Sequence, residues 1–443
     1  MRHGRWLRAQ PRGPLSFLLG AIALTAPLSA TQPEPEGEEL PAFLVEALAR
    51  EGELSEPQGF ELLDGMVKLT APAKVLGRES YDGYDYVQLG VDSEFPIECY
   101  VYDNEMNVAA LLQELGDRFV TLLAEPFGGV LWRQIQAMGG GLAAGVPYLA
   151  AEWWYTAGAE ESPQVGALKL ATAGPQELGV VCSHGELGYR ETFVAVVETL
   201  LGSLVRTRGA PSQPLFREVS LVTMQGLRVG YSETTIDVDD EGDFQYFTRQ
   251  AMAIPVDETT LSATDSATSE WAGPDGLVIN RTTVEAENGE ITMNLSLLPL
   301  EADRWRVEGT FQGKELQASI APSAPSGALT GEFAILLAAR DLLDKPRADR
   351  QPVVLRQWQP DADPTAPTEV AIRPADGERS FVLDLSGIEV QVTTDEFGNP
   401  VRMEAVDGAM LIERVLHQGQ AELDAALEAS RAARAAADAA EGR

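Results

Sequence analysis

Two cysteines and three histidines are all that 443 residues supply of the side chains most used in nucleophilic and zinc chemistry. His3 lies in the N-terminal leader, so His184 and His417 are left, and they fall in different halves of the chain. That is too little for a Ser-His-Asp triad or a His-based zinc site. The G-x-S-x-G nucleophile elbow is absent as well. Positive charge is scarce: 33 Lys and Arg stand against 68 Asp and Glu, for a net charge of −35. Such a chain repels phosphate backbones and anionic lipid surfaces, and it has no basic patch with interleaved aromatics, so nucleic acid is not an expected partner. Long apolar runs are missing too. The N-terminal run, Leu15 to Ala26, is well short of the ~20 residues of a membrane-spanning helix, and no second run is long enough to cross.

That one run has a pattern around it. Arg2, Arg5, Arg8 and Arg12 precede it, the small residues Ser29 and Ala30 follow it, and no acid occurs before Glu34. These are the three parts of a secretory signal peptide over residues 1–30, with removal expected after about Ala30. No cysteine follows the run, which excludes lipoprotein processing at a cysteine. The sequence therefore predicts an exported protein, periplasmic or extracellular, with no transmembrane helix once the leader is gone. The mature chain is more acidic still, because the leader carries arginines and no acids.

Apolar residues make up 44% of the chain, enough for sizeable cores. Residues 31–58 form an acidic leader, Pro-broken at first, in which Pro41 to Arg50 reads as a short helix. Residues 59–208 mix two periods. "YVQLGV" (Tyr86 to Val91) and "IECYVY" (Ile97 to Tyr102) alternate as strands. Asn107 is placed to cap a helix with Val108, Leu111, Leu112, Leu115, Phe119 and Leu122 on one face. "YLAAEWWYTA", "VGALKLATA" and "LGVVCSH" read as successive strands, and a last helix has Phe193, Val197, Leu200, Leu201 and Leu204 on one stripe. This order of elements is α+β, an antiparallel sheet covered by helices. It resembles the PsbP-like α/β/α sandwiches, a group whose members have unrelated roles.

Residues 209–216 carry Gly and Pro without periodicity and read as a linker. From 217 to 416 the chain is mostly β. Ile291, Met293, Leu295 and Leu297 alternate with polar neighbours, as do Trp305, Val307 and Phe311, and Ile388, Val390 and Val392. One apolar and one polar face per strand predicts an antiparallel sheet wet on one side. One helix interrupts it, "GEFAILLAARDLLDKP", ended by Pro346. Many antiparallel strands around one apolar helix resemble the half-barrels of the lipoprotein-carrier (LolA-type) group. That resemblance implies a β half-barrel over 217–416 and an apolar hollow for acyl chains. Residues 417–443 are an Ala-rich helical tail with few large apolar residues, expected to be solvated and to fray.

Several motifs invite a chemical reading. "VCSHGE" places Cys182, Ser183, His184 and Glu186 close together, but a strand sends Cys182 and His184 to one face and Ser183 to the other. His184 reads as an ordinary strand residue, and no catalytic residue is assigned. Cys182 has one possible partner, Cys99. In an oxidising compartment the pair forms a disulfide, worth ~4 kcal/mol by chain entropy; the alternative is two buried thiols. "DVDDEGD" (Asp237 to Asp243) imitates a calcium loop, yet its twelfth position is Thr248 where a bidentate Glu belongs, so a hairpin turn is expected. "GGGLAAG" (Gly139 to Gly145) lacks the P-loop lysine and reads as a flexible turn. Asn280 and Asn294 lie in N-x-[ST] sequons. Trp153, Trp154 and Tyr155 form the densest aromatic cluster, placed for packing. No cofactor or metal is expected.

The sequence thus points to a non-enzymatic binding or carrier protein of the cell envelope, with an apolar or lipid-like ligand or another envelope protein as partner. A structural or assembly factor is the alternative, and a hydrolase using carboxylates is the third. N-terminal sequencing of the exported protein is expected to start near Thr31; a chain beginning at Met1 overturns the leader.

Overall fold

The computed structural model describes residues 41–301, 304–321, 329–405 and 408–441. The leader over 1–30 and the beginning of the acidic segment lie outside the described residues. Helix α1 (Ala42–Leu48) follows, burying Leu44 and Ala47.

Two sheets form first. β1 (Gln58–Leu62), β2 (Val67–Ala71) and β10 (Val205–Arg206) make a three-stranded sheet. A seven-stranded antiparallel sheet takes the order β3 (Lys74–Tyr81), β4 (Tyr84–Gly90), β5 (Ile97–Tyr102), β9 (Gly179–His184), β8 (Ser162–Ala173), β7 (Val146–Ala159) and β6 (Val130–Ala143). β6 absorbs most of the glycine-rich stretch expected to be a turn. Gly140 is needed inside the strand, where any Cβ would lie 2.4 Å from the Tyr148 carbonyl oxygen. The turn itself is only Ala144 and Gly145, both at positive φ.

One face of this sheet packs on helix α3 (Arg190–Ser203) and the small sheet. Phe193, Val196, Val197, Leu200 and Leu201 meet Val87, Leu89, Cys99 and Val101 there. Cys99 and Cys182 are direct partners across β5 and β9, and their sulfurs are bonded. Helix α2 (Val108–Ala124) lies on the opposite face. Its buried residues include Val108, Leu112, Gly116 and Val120, whereas Leu122, expected on the inner face, is 51% exposed.

The rest of the chain builds one fourteen-stranded antiparallel sheet. Eight strands run in sequence: β11 (Phe216–Met224), β12 (Leu227–Val238), β13 (Phe244–Pro255), β14 (Leu261–Ala272), β15 (Val278–Glu287), β16 (Glu290–Glu301), β17 (Arg304–Phe311) and β18 (Lys314–Ile320). Helix α4 (Glu332–Asp344) follows. Then come β19 (Val353–Trp358), β20 (Pro367–Pro374), β21 (Ser380–Leu385), β22 (Ile388–Thr394), β23 (Pro400–Ala405) and β24 (Met410–Gln418). β24 pairs with β11, so the first and last strands meet mid-sheet while β18 and β19 are its two edges.

The sheet curls. Thr248 and Gln250 of β13 and Phe381 and Leu383 of β21 line one cavity. On a flat sheet at ~4.8 Å per strand they would lie roughly 29 Å apart. The curl brings the β19 end back inside: Trp358 packs with Met293, Leu295, Leu297 and Val307. Thr330 bridges Leu277 on one side to Gln357 on the other. The region expected as a half-barrel is therefore an open, curled sheet with α4 inside its curve. Helix α5 (Gln420–Glu441) closes one end. Leu423 and Leu427 bury against Phe216, Ile236, Phe244 and Phe333, so the start of the tail is docked and not solvated as expected.

β11 to β14 also depart from the expected wet face, since both their faces are covered. Leu221, Tyr231, Ala251, Ala253, Leu261 and Ala263 pack on α2 and the seven-stranded sheet. Asp265 of β14 points the same way and is 9% exposed. Its oxygens accept the backbone N–H groups of Ala109 and Ala110 at 2.9 Å each. Asn107 stands at the N-cap position of α2 but makes no side-chain capping bond. The orphan donors and positive dipole end of α2 are thus satisfied from a strand 155 residues away. Asp265→Ala leaves them buried and unpaired. A loss of about 2–3 kcal/mol is expected from the urea midpoint; a change within ~0.5 kcal/mol overturns this role.

Candidate functional site

The curve of the large sheet encloses a cavity of about 170 Å³ between β11–β13, α4 and β21–β24. Strand register decides its walls. Side chains directly opposite one another across neighbouring strands share a face, and the inner face of β11–β13 is mainly polar. Glu218, Thr234 and Thr248 make one cross-strand row, continued by Thr268 and Thr283 beyond the cavity. Ser220, Ser232 and Gln250 make the next. Opposite them stand Ile335, Leu336 and Ala339 of α4 and Phe381, Leu383, Val392, Met403 and Ile412. The cavity therefore has a hydroxyl-rich wall and a hydrocarbon wall.

A third row, Phe216, Ile236, Tyr246, Glu270 and Arg281, leads from the cavity into a buried charge cluster. Glu270 is 0% and Arg281 1% exposed. Glu270 accepts the backbone N–H groups of Glu332 at 3.2 Å and Phe333 at 3.3 Å, capping α4 from across the curve. Gly331 permits this approach, because a Cβ there would fall 1.9 Å from a Glu270 carboxylate oxygen. Arg281 bonds Glu270 at 3.3 Å and Glu332 at 3.2 Å. Burial pushes the carboxyl of Glu270 upward against the pull of Arg281. It pushes Glu332 up to about 7, with Arg281 opposing and Glu270 adding to the rise. Asp361, fully buried nearby, is raised by the same desolvation. Glu332 belongs to both features: it lines the cavity and joins the cluster.

The residues that drew attention in the sequence are elsewhere. Cys182 is tied up in the disulfide with Cys99. His184 is 1% exposed, its Nε2 3.2 Å from the Phe95 carbonyl oxygen, and burial with the charge of Lys169 pushes it down to about 4. Glu186 accepts backbone N–H groups of Glu94 and Phe95. Ser183 points the other way, into a groove below α2. These four do not share a reactive centre. Asp239 folds the imitation calcium loop into a hairpin turn by accepting the N–H groups of Glu241 and Asp243. Among the described residues no cluster of His, Cys, Asp and Glu is arranged to hold a metal ion. Trp153 and Tyr155 are packing residues; a Cβ on Gly116 would sit 2.4 Å from the Trp153 ring. Trp154, half-buried on the opposite face, donates to Glu152.

Sequence reasoning missed Glu270, Arg281, Glu332 and Asp361. Their one signal is acids and an arginine within otherwise regular strands, at a helix start and in a turn, and 68 acids drown it.

No family model matches the chain. No curated protein matches it either. Solved structures do. A β-barrel-like protein of the domain of unknown function DUF1849 from Brucella abortus is 14% identical, with 46% of this chain and 96% of that chain covered at a TM-score of 0.32. A DUF1089 family protein from Pseudomonas aeruginosa is 15% identical, with 40% and 90% covered at 0.25. Neither is described as PsbP-like or LolA-type.

Glu332 has a measurable consequence. A glutamate in the unfolded chain loses its proton near ~4.3, whereas folded Glu332 keeps it to about 7. Between these values the native state binds the extra proton, so this residue's contribution to stability falls as pH rises through that window. His184 has the opposite sign, but it is common to parent and variant and cancels. Urea midpoints are expected to show Glu332→Gln gaining on the parent from about pH 4.5 to about pH 7.5; a difference constant with pH overturns the assignment.

Proposed function

We propose that the protein is an exported binding or carrier protein whose curled sheet holds a small amphipathic molecule. The observation that carries this reading is the cavity with one hydroxyl-rich and one hydrocarbon wall. Buried apolar surface is worth ~25 cal/mol per Å², so an open hydrocarbon wall favours a guest. The size limits that guest. A cavity of ~150 Å³ takes a benzene-sized molecule, so about 170 Å³ accepts one ring or a short stretch of chain. The apolar rows of the curve otherwise fill one another around α4: Met252 and Ile254 belong to one cluster with Val370, Ile372 and Phe381. A long acyl chain is therefore not held whole.

Export is supported by the leader pattern and by a disulfide that suits an oxidising compartment. No described helix is long and apolar enough to cross a membrane. Two free thiols per denatured, unreduced chain would count against it.

One surface favours the second reading, a factor that docks another envelope protein. Tyr81, Tyr84, Tyr102, Tyr100, Tyr86 and Phe119 form a connected run of rings over β3–β5 and α2. It borders a groove of about 230 Å³ where Phe95 is 48% and Leu122 51% exposed. The hydrolase reading is weaker. The cavity's carboxylates, Glu218 and Glu332, are engaged by Arg414 and Arg281.

The test is organic extraction of host-purified protein, then titration of the stripped protein with an apolar fluorophore. Saturable binding is expected, and Ala339→Leu, which fills the cavity from α4, should weaken it at least about tenfold with little change in melting. No extractable compound together with no saturable binding sinks the carrier reading and puts the docking role ahead.

A further inference from the structure

Resting on the binding role of this cavity, we propose that its ligand is a cationic amphiphile, an alkyl- or arylalkyl-ammonium. Its nitrogen is held at Glu332, and its hydrocarbon part lies against Phe381, Leu383, Met403 and Ile412.

The charges on the walls are one-sided. Glu218 and Glu332 line the cavity, and among the described residues no Lys, Arg or His does. A fatty-acid carboxylate or a phosphate headgroup would enter beside these carboxylates with no cation to receive it. In a site of low dielectric, like charges a few ångströms apart repel strongly. An ammonium meets the reverse situation. The cluster behind the wall has one guanidinium, Arg281, bonded to both Glu270 and Glu332, and Asp361 lies in the field of Arg281 and Glu332. Glu270 and Glu332 thus share one guanidinium, and Glu332, the member on the cavity wall, has no arginine of its own.

The other groups around the cavity do not change this sign. Arg414 of β24 is shared between Glu218 at 3.4 Å and Asp395 at 2.7 Å. His417 Nδ1 lies 3.5 Å from Glu218. Tyr246, on the row that leads to Glu270, contributes only a neutral hydroxyl, since burial and the charge of Glu332 raise it further. The hydroxyl wall offers acceptors to the remaining ammonium N–H groups. The chain's net charge of −35 favours the approach of cations over anions in general.

Proton release follows from the same arrangement. Glu332 holds its proton to about 7, and an arriving ammonium stabilises the carboxylate and expels that proton. Amine binding near pH 6 therefore releases close to one proton per ligand, and affinity rises with pH until Glu332 is ionised without help.

The experiment is calorimetric titration of the stripped full chain with octylammonium, octanoate and 1-octanol, three probes of equal tail length. Each is run near pH 6 and pH 8 in buffers of different ionisation enthalpy. Octylammonium is expected to bind at least about tenfold tighter than octanoate at pH 8, and to release about one proton at pH 6. Glu332→Gln, checked for folding by its melting curve, should lose most of that preference and the proton release. If octanol and octylammonium bind equally and no proton is released, the cavity binds but the amine assignment is overturned. If octanoate binds best, it is overturned in favour of an anionic ligand. If none binds, the cavity reading fails and this proposal with it. Proton release by the parent protein decides the matter even if the variant folds poorly.

Discussion

Two carboxylates on one strand organise the molecule. Asp265 and Glu270 of β14 are buried and point to opposite faces, and each caps the N-terminus of a different helix. Asp265 fastens α2, and with it the seven-stranded sheet, to the outer face. Glu270 fastens α4 inside the curve. A third helix is held in the same way: Glu51 accepts the N–H groups of Glu191 and Thr192 at the start of α3. The residues at the local N-cap positions, Asn107, Tyr189 and Gly331, make no side-chain capping bonds. Helix dipoles and orphan donors are thereby used to fix tertiary geometry, because a cap delivered from a distant strand is satisfied only when helix and strand are docked.

The electrostatic cost explains where the site lies. A carboxylate loses much hydration free energy on burial, and Glu270 recovers it from Arg281 and two helix N–H groups. Arg281 must then serve Glu332 as well, so two acids share one guanidinium at the point where the cluster meets the cavity. Asp265 illustrates the same balance without an arginine bonded to it: burial raises it to about 6 despite the backbone N–H groups that pull it down. The scaffold that holds α4 across the curve thus also sets the sign of the cavity.

Interfaces between the two sheet systems repeat the theme. Glu233 sits between Arg217 and Arg249 at 2.6 Å from each, and the two guanidiniums hold its carboxyl below the ordinary range although burial opposes them. Arg217 and Arg249 also donate to the carbonyl oxygens of Gly145 and Gly174, turns of the seven-stranded sheet. The two halves are joined by small apolar side chains and by paired charges, and both kinds of contact need the strands of the second half already in register.

Much was legible in the sequence because it depends on near neighbours. Helices at 190–203 and 332–344, the strands of "YVQLGV" and "IECYVY", and the stop at Pro346 follow from period and from backbone chemistry, which a short window contains. Two cysteines in one half of the chain suggested their own pairing. Which face of a strand is inside was not legible. The polar Thr268 and Thr283 are 1% and 0% exposed, while Ala251, Ala253 and Ala263 on the other face pack in the cluster with α2. Alternation reports only that two faces differ; a strand covered on both sides assigns them by what packs there. The same holds for Glu270, Arg281 and Glu332. They lie far apart along the chain, and only the curl of the sheet and the docking of α4 bring them together, so their shared charge and the cavity beside it are properties of the tertiary structure alone.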